Sequence, residues 1–213
     1  MICTLAVAVF AANLWQPYPE IAPLQHIPTV AVLLASPWLL RRWPLSNGSV
    51  AAVVCFFLLH TIAGRYTYSN VPYDAWGREL TGYSVDAAFG WTRNNIDRLI
   101  HLSFGIFALP PVVESVRRYG GTSPRLSLCL GFLFVCGASA LYEIFEWLLS
   151  LLLSPGIAED YNGQQGDIWD AQKDMAIAIL GACISIGWHL RATRVEDSST
   201  VDRWMERLGK LLD

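Results

Sequence analysis

The chain has 213 residues, of which 54% are hydrophobic and 15% charged, against roughly a quarter charged in soluble domains, so membrane is the first reading. A net charge of -3 with no Lys/Arg block beyond pairs such as Arg41-Arg42 and Arg117-Arg118 excludes an ordinary nucleic-acid binder. The mean hydropathy of +0.37 is moderate for such a chain, so substantial polar segments must separate the apolar runs.

In chain order, six apolar runs are predicted as membrane-spanning helices: Ile2 to Trp15, Ile27 to Trp43, Ser49 to Arg65, Asn94 to Val116, Arg125 to Ser154 and Asp167 to Arg191. A hydrocarbon core of about 30 Å needs roughly 20 apolar residues, fewer when flanking residues snorkel. The first run is the shortest; it lacks the basic flank of a signal peptide and reads as a retained helix. Cys3, Cys55, Cys129, Cys136 and Cys183 all fall inside apolar runs without CxxC spacing and read as small core hydrophobes, with no disulfide framework and no thiolate metal site.

Lys and Arg number two in residues 41–48 and three in 117–125, but none in 16–26 or 155–166. Basic residues gather on the cytoplasmic side. Both termini are therefore expected inside and segments 16–26, 66–93 and 155–166 outside. The long loop 66–93 carries Arg78 and Arg93 among acidic residues, and its aromatics (Tyr66, Tyr68, Tyr73, Trp76, Tyr83, Trp91) suit the membrane interface. The chain divides into a bundle, 1–192, and a cytoplasmic tail, 193–213. In the tail Val201, Trp204, Met205, Leu208 and Leu212 share one helical face after a Ser199 or Thr200 N-cap.

This orientation brings the polar residues of four helices to one depth. His60 lies roughly 8 Å inside the outer end of its helix, at 1.5 Å of rise per residue. Asn94, Asp97 and His101 follow at i, i+3, i+7 on the next helix; Tyr142, Glu143 and Glu146 end the one after; Asp167, Asp170 and Asp174 open the last. Ionisable groups at bilayer depth cost several kcal/mol each and are functional by default. Six carboxylates and two histidines cannot all stay ionised without cations. One solution is a divalent metal, with oxygen and imidazole ligands suiting Mg, Mn, Zn or Fe. A second is protonation and pairing with Arg98 and Lys173, which makes a proton relay or a structural polar core.

The bland readings stand beside these. His26 and His189 read as interfacial, and Trp147 and Trp169 as aromatic-belt residues. Gly64 and Gly105 permit close backbone approach, and Gly163 and Gly166 would turn the chain sharply before Asp167 as an N-cap.

The ordered motifs HTIAGRYTYSNVP, RNNIDRLIH, SALYEIFEW and GQQGDIWDAQKDM resemble the YjdF-like family of bacterial inner-membrane proteins. More distantly, Asp-x-x-x-His on one helix, acids on the next and spaced aspartates opening the last look like the VanZ-like membrane proteins, which are associated with the cell envelope. The resemblance implies a multi-pass inner-membrane bundle. It places motif positions on His60, Tyr66, Tyr68, Asn94, Asp97, Arg98, His101, Tyr142, Glu143, Glu146, Trp147, Gln165, Gly166, Asp167, Trp169, Asp170, Gln172 and Asp174, with Gln164 where the family more often shows threonine.

The expectation is an all-α membrane bundle with an outward-facing site. His60, His101, Asp167, Asp170 and Asp174 are the candidate metal ligands, and Asp97, Glu143 and Glu146 the catalytic carboxylates. Asn94, Arg98, Tyr142, Gln165, Gln172 and Lys173 support them. Such a site suits a metal-assisted hydrolase or transferase acting on a lipid or lipid-linked envelope substrate. The same residues equally describe a non-enzymatic protein, either a proton- or cation-coupled transporter or an envelope-stress component with a structural polar core; the lack of a visible inverted repeat weighs against transport.

Overall fold

Eleven apolar residues open the fold as helix α1 (Ile2–Ala12). The computed structural model describes the backbone of residues 1–153 and 155–212, and their side chains except those of 155, 159, 160 and 193–212. Helices α2 (Ala22–Gln25), α3 (Ile27–Arg42), α4 (Asn47–Arg65), α5 (Tyr73–Thr81), α6 (Val85–Phe89), α7 (Ile96–Gly120), α8 (Pro124–Leu152), α9 (Pro155–Asn162) and α10 (Asp170–Leu212) follow, with no strand among the described residues.

Among the described residues, five segments are long and apolar enough to cross a membrane: Ala22–Arg42, Asn47–Arg65, Ile96–Gly120, Pro124–Leu152 and Asp170–Ala192. Helix α1 is not a sixth. At 1.5 Å per residue it rises about 16 Å, half of a hydrocarbon core of about 30 Å. Asn13 ends it, donating to the Val9 carbonyl at 2.8 Å. Arg65, at the end of α4, then takes the carbonyls of Ala12 (2.5 Å), Leu14 (3.0 Å) and Trp15 (3.2 Å). These bonds satisfy groups that a helix terminus would otherwise leave unpaired.

Alternation of the spans puts the end of α4 and the starts of α7 and α10 at one end of the bundle, together with the end of α8. We call this the site end. Helix α1 starts, and the spanning part of α10 finishes, at the opposite end. There Glu114 of α7 closes the N-terminus of α4, accepting from the Ser46 N–H (2.7 Å), the Ser46 hydroxyl (2.7 Å) and the Ser49 hydroxyl (2.5 Å). A carboxylate in that position meets the positive end of the helix dipole.

The tightest packing is between α7 and α10, where Gly105 and Gly181 face each other. A Cβ on Gly105 would lie 2.9 Å from the Gly181 Cα and 2.7 Å from the Ala182 nitrogen, and would collide with the Ala178 carbonyl. Lipid is as apolar as leucine, so spanning helices associate through close backbone approach at small residues rather than through hydrophobic burial. Leu109, Val113, Val135, Ala178 and Ala182 form the core beside this crossing, while Leu5, Val9 and Val54 make a second one under α1.

The same physics corrects two expectations. Cys3, Cys55, Cys129 and Cys183 are free and exposed on the outer wall of the bundle, and Cys136 is half-buried. An apolar run in a spanning helix does not distinguish a lipid-facing position from a core one. Helix α10 also continues unbroken past Ser199 and Thr200, so no new helix is capped there. The apolar face expected at Val201, Trp204, Met205, Leu208 and Leu212 lies outside the described side chains.

Candidate functional site

Two backbone devices set the site end. Asn94 precedes α7 rather than joining its stripe: its Oδ1 accepts from the Ile96 N–H at 3.1 Å and its Nδ2 donates to the Val71 carbonyl at 2.8 Å. The turn before α10 has positive φ at Gly163 (68°), Gln165 (52°) and Gly166 (77°). Glycine adopts that region freely, but glutamine does so only where its surroundings hold it. Gln165 is held by Asn94, accepting from its N–H at 2.9 Å and donating to its carbonyl at 3.0 Å. Asp167 therefore belongs to the turn, where it accepts from the Trp169 N–H at 3.1 Å. Helix α10 starts at Asp170, and the expected i, i+3, i+7 stripe becomes Asp170 and Asp174, one turn apart.

The carboxylates divide into a paired half and an under-paired half. Asp170 Oδ1 accepts from Arg98 at 2.6 Å and from Arg93 at 2.8 Å. Asp167 Oδ2 gathers Lys173 at 2.6 Å, Arg98 at 3.1 Å and Arg93 at 3.4 Å. The hydrogen bond from Lys173, followed by that from the Trp169 N–H, holds the Asp167 carboxyl below its ordinary pKa. Arg98 also pairs with Asp174 through Oδ2. Arg98 and Lys173 thus act as the counter-ions anticipated. Arg93 was not anticipated as one. It also donates to the Gln164 (3.1 Å) and Gly163 (3.2 Å) carbonyls, fastening the turn to the start of α7. Its place directly before the Asn94–Asp97 motif was the available signal.

Asp97, His101 and Asp174 make up the other half. All three are buried, and one ligand-type atom from each lies within 4.8 Å of the others. His101 Nε2 is 3.7 Å from Asp97 Oδ1 and 3.5 Å from Glu143 Oε1. Neither separation is a hydrogen bond of good length. Both approach the edge of about 3.3 Å between neighbouring ligands bound tetrahedrally at ~2.0 Å from one metal ion. Asp174 is 1% exposed, yet its Oδ1 has no hydrogen-bond partner among the described residues; the same holds for Glu143 Oε1. Buried polar atoms are almost always satisfied, so two carboxylate oxygens that accept no hydrogen bond, on side chains that both approach one imidazole, demand a reason. Glu146 is also buried, one helical turn along α8 from Glu143.

Residues 1–194 match the model of a family described as predicted membrane protein (DUF2238). The chain belongs to this family. Inner membrane protein YjdF of Escherichia coli (strain K12) is 34% identical over 170 residues, covering 78% of this chain and 74% of that protein. No solved structure matches. With five helices among the described residues long and apolar enough to span, the DUF2238 chain is a multi-pass protein of the inner membrane, in keeping with the YjdF-like motifs; the VanZ likeness stays an expectation of the sequence.

The remaining predicted positions scatter around the centre. His60 is buried on α4 but is not in the Asp97–His101–Asp174 group. Its Nδ1 lies 3.4 Å from Thr29 Oγ1, and it faces a cavity of about 270 Å³ that His101 and Tyr142 also line, with none of the carboxylates on its wall. Tyr68, expected at the interface, is buried against the His60 ring at 5.8 Å. His26 is likewise buried, not interfacial: its ring meets the Thr61 carbonyl at 3.0 Å and Asn13 Nδ2 at 2.9 Å. Here Gly64 lets α2 close on α4, since a Cβ would stand 3.0 Å from Gln25 Cβ. Gln172 and Lys173 are exposed on α10; Trp147 on α8 and Trp169 just before α10 are exposed too, which fits the aromatic belt.

Proposed function

We propose that His101 Nε2, Asp97, Asp174 Oδ1 and Glu143 Oε1 hold one divalent cation, of the Mg, Mn, Zn or Fe class, and that this cation serves a membrane-embedded hydrolase or transferase. Its substrate would be a lipid or lipid-linked envelope molecule approached from the outer leaflet. The observation that carries the reading is the pair of buried oxygens, Asp174 Oδ1 and Glu143 Oε1, that accept no hydrogen bond among the described residues, on side chains that both approach His101. Imidazole with carboxylate oxygens suits these metals. Arg98 fixes the other oxygen of Asp174, the kind of outer contact that orients a ligand toward its metal.

Charge supports the same assignment. Asp97, Glu143, Glu146, Asp167, Asp170 and Asp174 outnumber Arg93, Arg98 and Lys173 by three. A divalent cation removes most of that excess from a region where unbalanced charge is costly. When bound, it would polarise a phosphoryl or acyl oxygen or activate a water. Glu146, three residues along α8 from Glu143 and in the same buried face, is positioned to take the proton.

A second reading draws on the pairing of Asp167 and Asp170 by Arg93, Arg98 and Lys173. It makes the cluster a brace, or part of a cation- or proton-coupled path, without chemistry. Metal analysis of purified protein separates the two. Wild type and Asp170→Asn should carry about one equivalent, because Asp170 is satisfied by arginine, while His101→Ala and Asp174→Asn should lose it at least tenfold. Equal, substoichiometric metal in all four would sink the metal reading.

A further inference from the structure

The cavity beside His101 lies in the seam formed where α4 and α8 both pack on α7. Phe56, Phe57 and His60 of α4 wall one side, Ile100, His101 and Phe104 of α7 form the floor, and Ala138, Ser139 and Tyr142 of α8 wall the other. Its volume of about 270 Å³ exceeds the ~150 Å³ at which an apolar cavity already stays dry and takes up a benzene-sized guest. Exposed Pro28 of α3 stands at its rim, so the seam reaches the lipid-facing wall of the bundle.

Ser139 brings a buried hydroxyl to this mostly apolar chamber. Ser139 is 2% exposed, and its hydroxyl makes no hydrogen bond among the described residues. A serine inside a spanning helix ordinarily bonds back to the carbonyl four residues earlier; this one makes no such bond. Ser139 and Glu143 are i, i+4 on α8 and both buried, so the hydroxyl sits one turn, about 6 Å of rise, from the carboxylate beside His101. The chamber and the carboxylate centre share His101 as a common wall.

We infer that this cavity seats the hydrocarbon chain of the protein's lipid substrate, with the oxygen of the substrate's ester or phosphoester linkage accepting from Ser139 and lying against His101. The inference rests on the lipid-substrate reading above and adds to it where the chain goes and which residue finds the linkage. The aromatic wall holds a chain through contact area; the Ser139 hydroxyl and the imidazole fix its polar end. This division, a mostly apolar pocket with a few placed polar groups, is the usual form of a small-molecule site. A bilayer phospholipid resting in the seam would use the same walls, and the difference lies in saturability.

The full-length protein in phosphatidylethanolamine/phosphatidylglycerol nanodiscs, irradiated with hexadecyl phosphate bearing a mid-chain diazirine, tests this. Saturable adducts on the segments containing Phe56, Phe57 and Phe104 are expected. Ala138→Trp, which fills the chamber, should cut them at least tenfold. Ser139→Ala keeps the shape and should weaken half-saturation roughly fivefold, the loss of one neutral hydrogen bond. Labelling that rises linearly with probe mole fraction, or that falls on outward residues such as Leu141 and is unchanged by Ser139→Ala, would overturn the inference. Metal content read on the same samples separates the two claims. Saturable adducts without metal leave the chain site standing and remove the metal, and metal without saturable adducts does the reverse.

Discussion

Arg98 touches three carboxylates, those of Asp167, Asp170 and Asp174, while only 12% of its side chain is exposed. Removing one partner from a buried charge group leaves the others uncompensated, at a cost of about 3–5 kcal/mol. Arg98→Met is therefore expected to lower the thermal unfolding temperature in detergent far more than Lys173→Met, since the Lys173 side chain is 52% exposed and such a surface-type pair is worth roughly 0–1 kcal/mol. Equal losses would mean that the aspartates are neutralised some other way. Asp97 and His101 were legible from sequence because i, i+4 spacing alone sets them on one helical face. The split of the aspartates was not, because it depends on Arg93, whose reach to Asp170 crosses 77 positions of chain. Spacing likewise brought His60 to the chamber beside His101 but outside the Asp97–His101–Asp174 group, since helical rise says nothing of azimuth around the bundle.

Helices α5 and α6 form a polar cap at the site end, tied by one carboxylate. Asp74 accepts from the Asp86 N–H (3.0 Å), Arg78 (2.8 Å) and the Ser84 hydroxyl (2.8 Å). These bonds, the Asp86 N–H first, lower its pKa from 3.8 to about 2. Tyr73, which donates to Asp86 at 2.6 Å, is pushed up to about 12, mainly by desolvation and then by that bond. The folded cap thus favours ionised Asp74 and neutral Tyr73. The aspartate's contribution is full above 3.8 and is lost as pH falls through about 2; the tyrosine's is full below 10.0 and is lost as pH rises through about 12. Between these limits the cap should hold steady. Asp74→Asn should raise amide exchange of residues 84–89 across that whole window, and unchanged exchange would show that α6 is held by other contacts. The sequence showed this stretch only as an aromatic-rich loop, because helices of nine and five residues are too short for a clear periodic signal. The long spans, by contrast, were legible to within a few residues at each end. Their apolar length and their end markers, such as Ser46 and Ser123 accepting from Ser49 and Leu126, are local properties.

The bundle places basic residues differently at its two ends, and this bears on its direction in the membrane. At the site end Arg65 is bound to the carbonyls of α1, Arg78 to Asp74 and Arg93 to Asp170. At the opposite end Arg41, Arg42, Arg117 and Arg125 are exposed. The positive-inside rule counts Lys and Arg close to the span ends, and Arg41, Arg42, Arg117, Arg118 and Arg125 put that count at the opposite end. Both termini should then be cytoplasmic, and the carboxylate centre should lie in the outer half of the bilayer, within reach of outer-leaflet substrates. Single cysteines at Glu79 and Arg125, both exposed, introduced with the five native cysteines changed to alanine, test this in intact cells. A membrane-impermeant thiol reagent should modify Glu79→Cys at once and Arg125→Cys only after permeabilisation. The reverse pattern would turn the site toward the cytoplasm, leaving the cation assignment intact but requiring a substrate made or held on the inner leaflet.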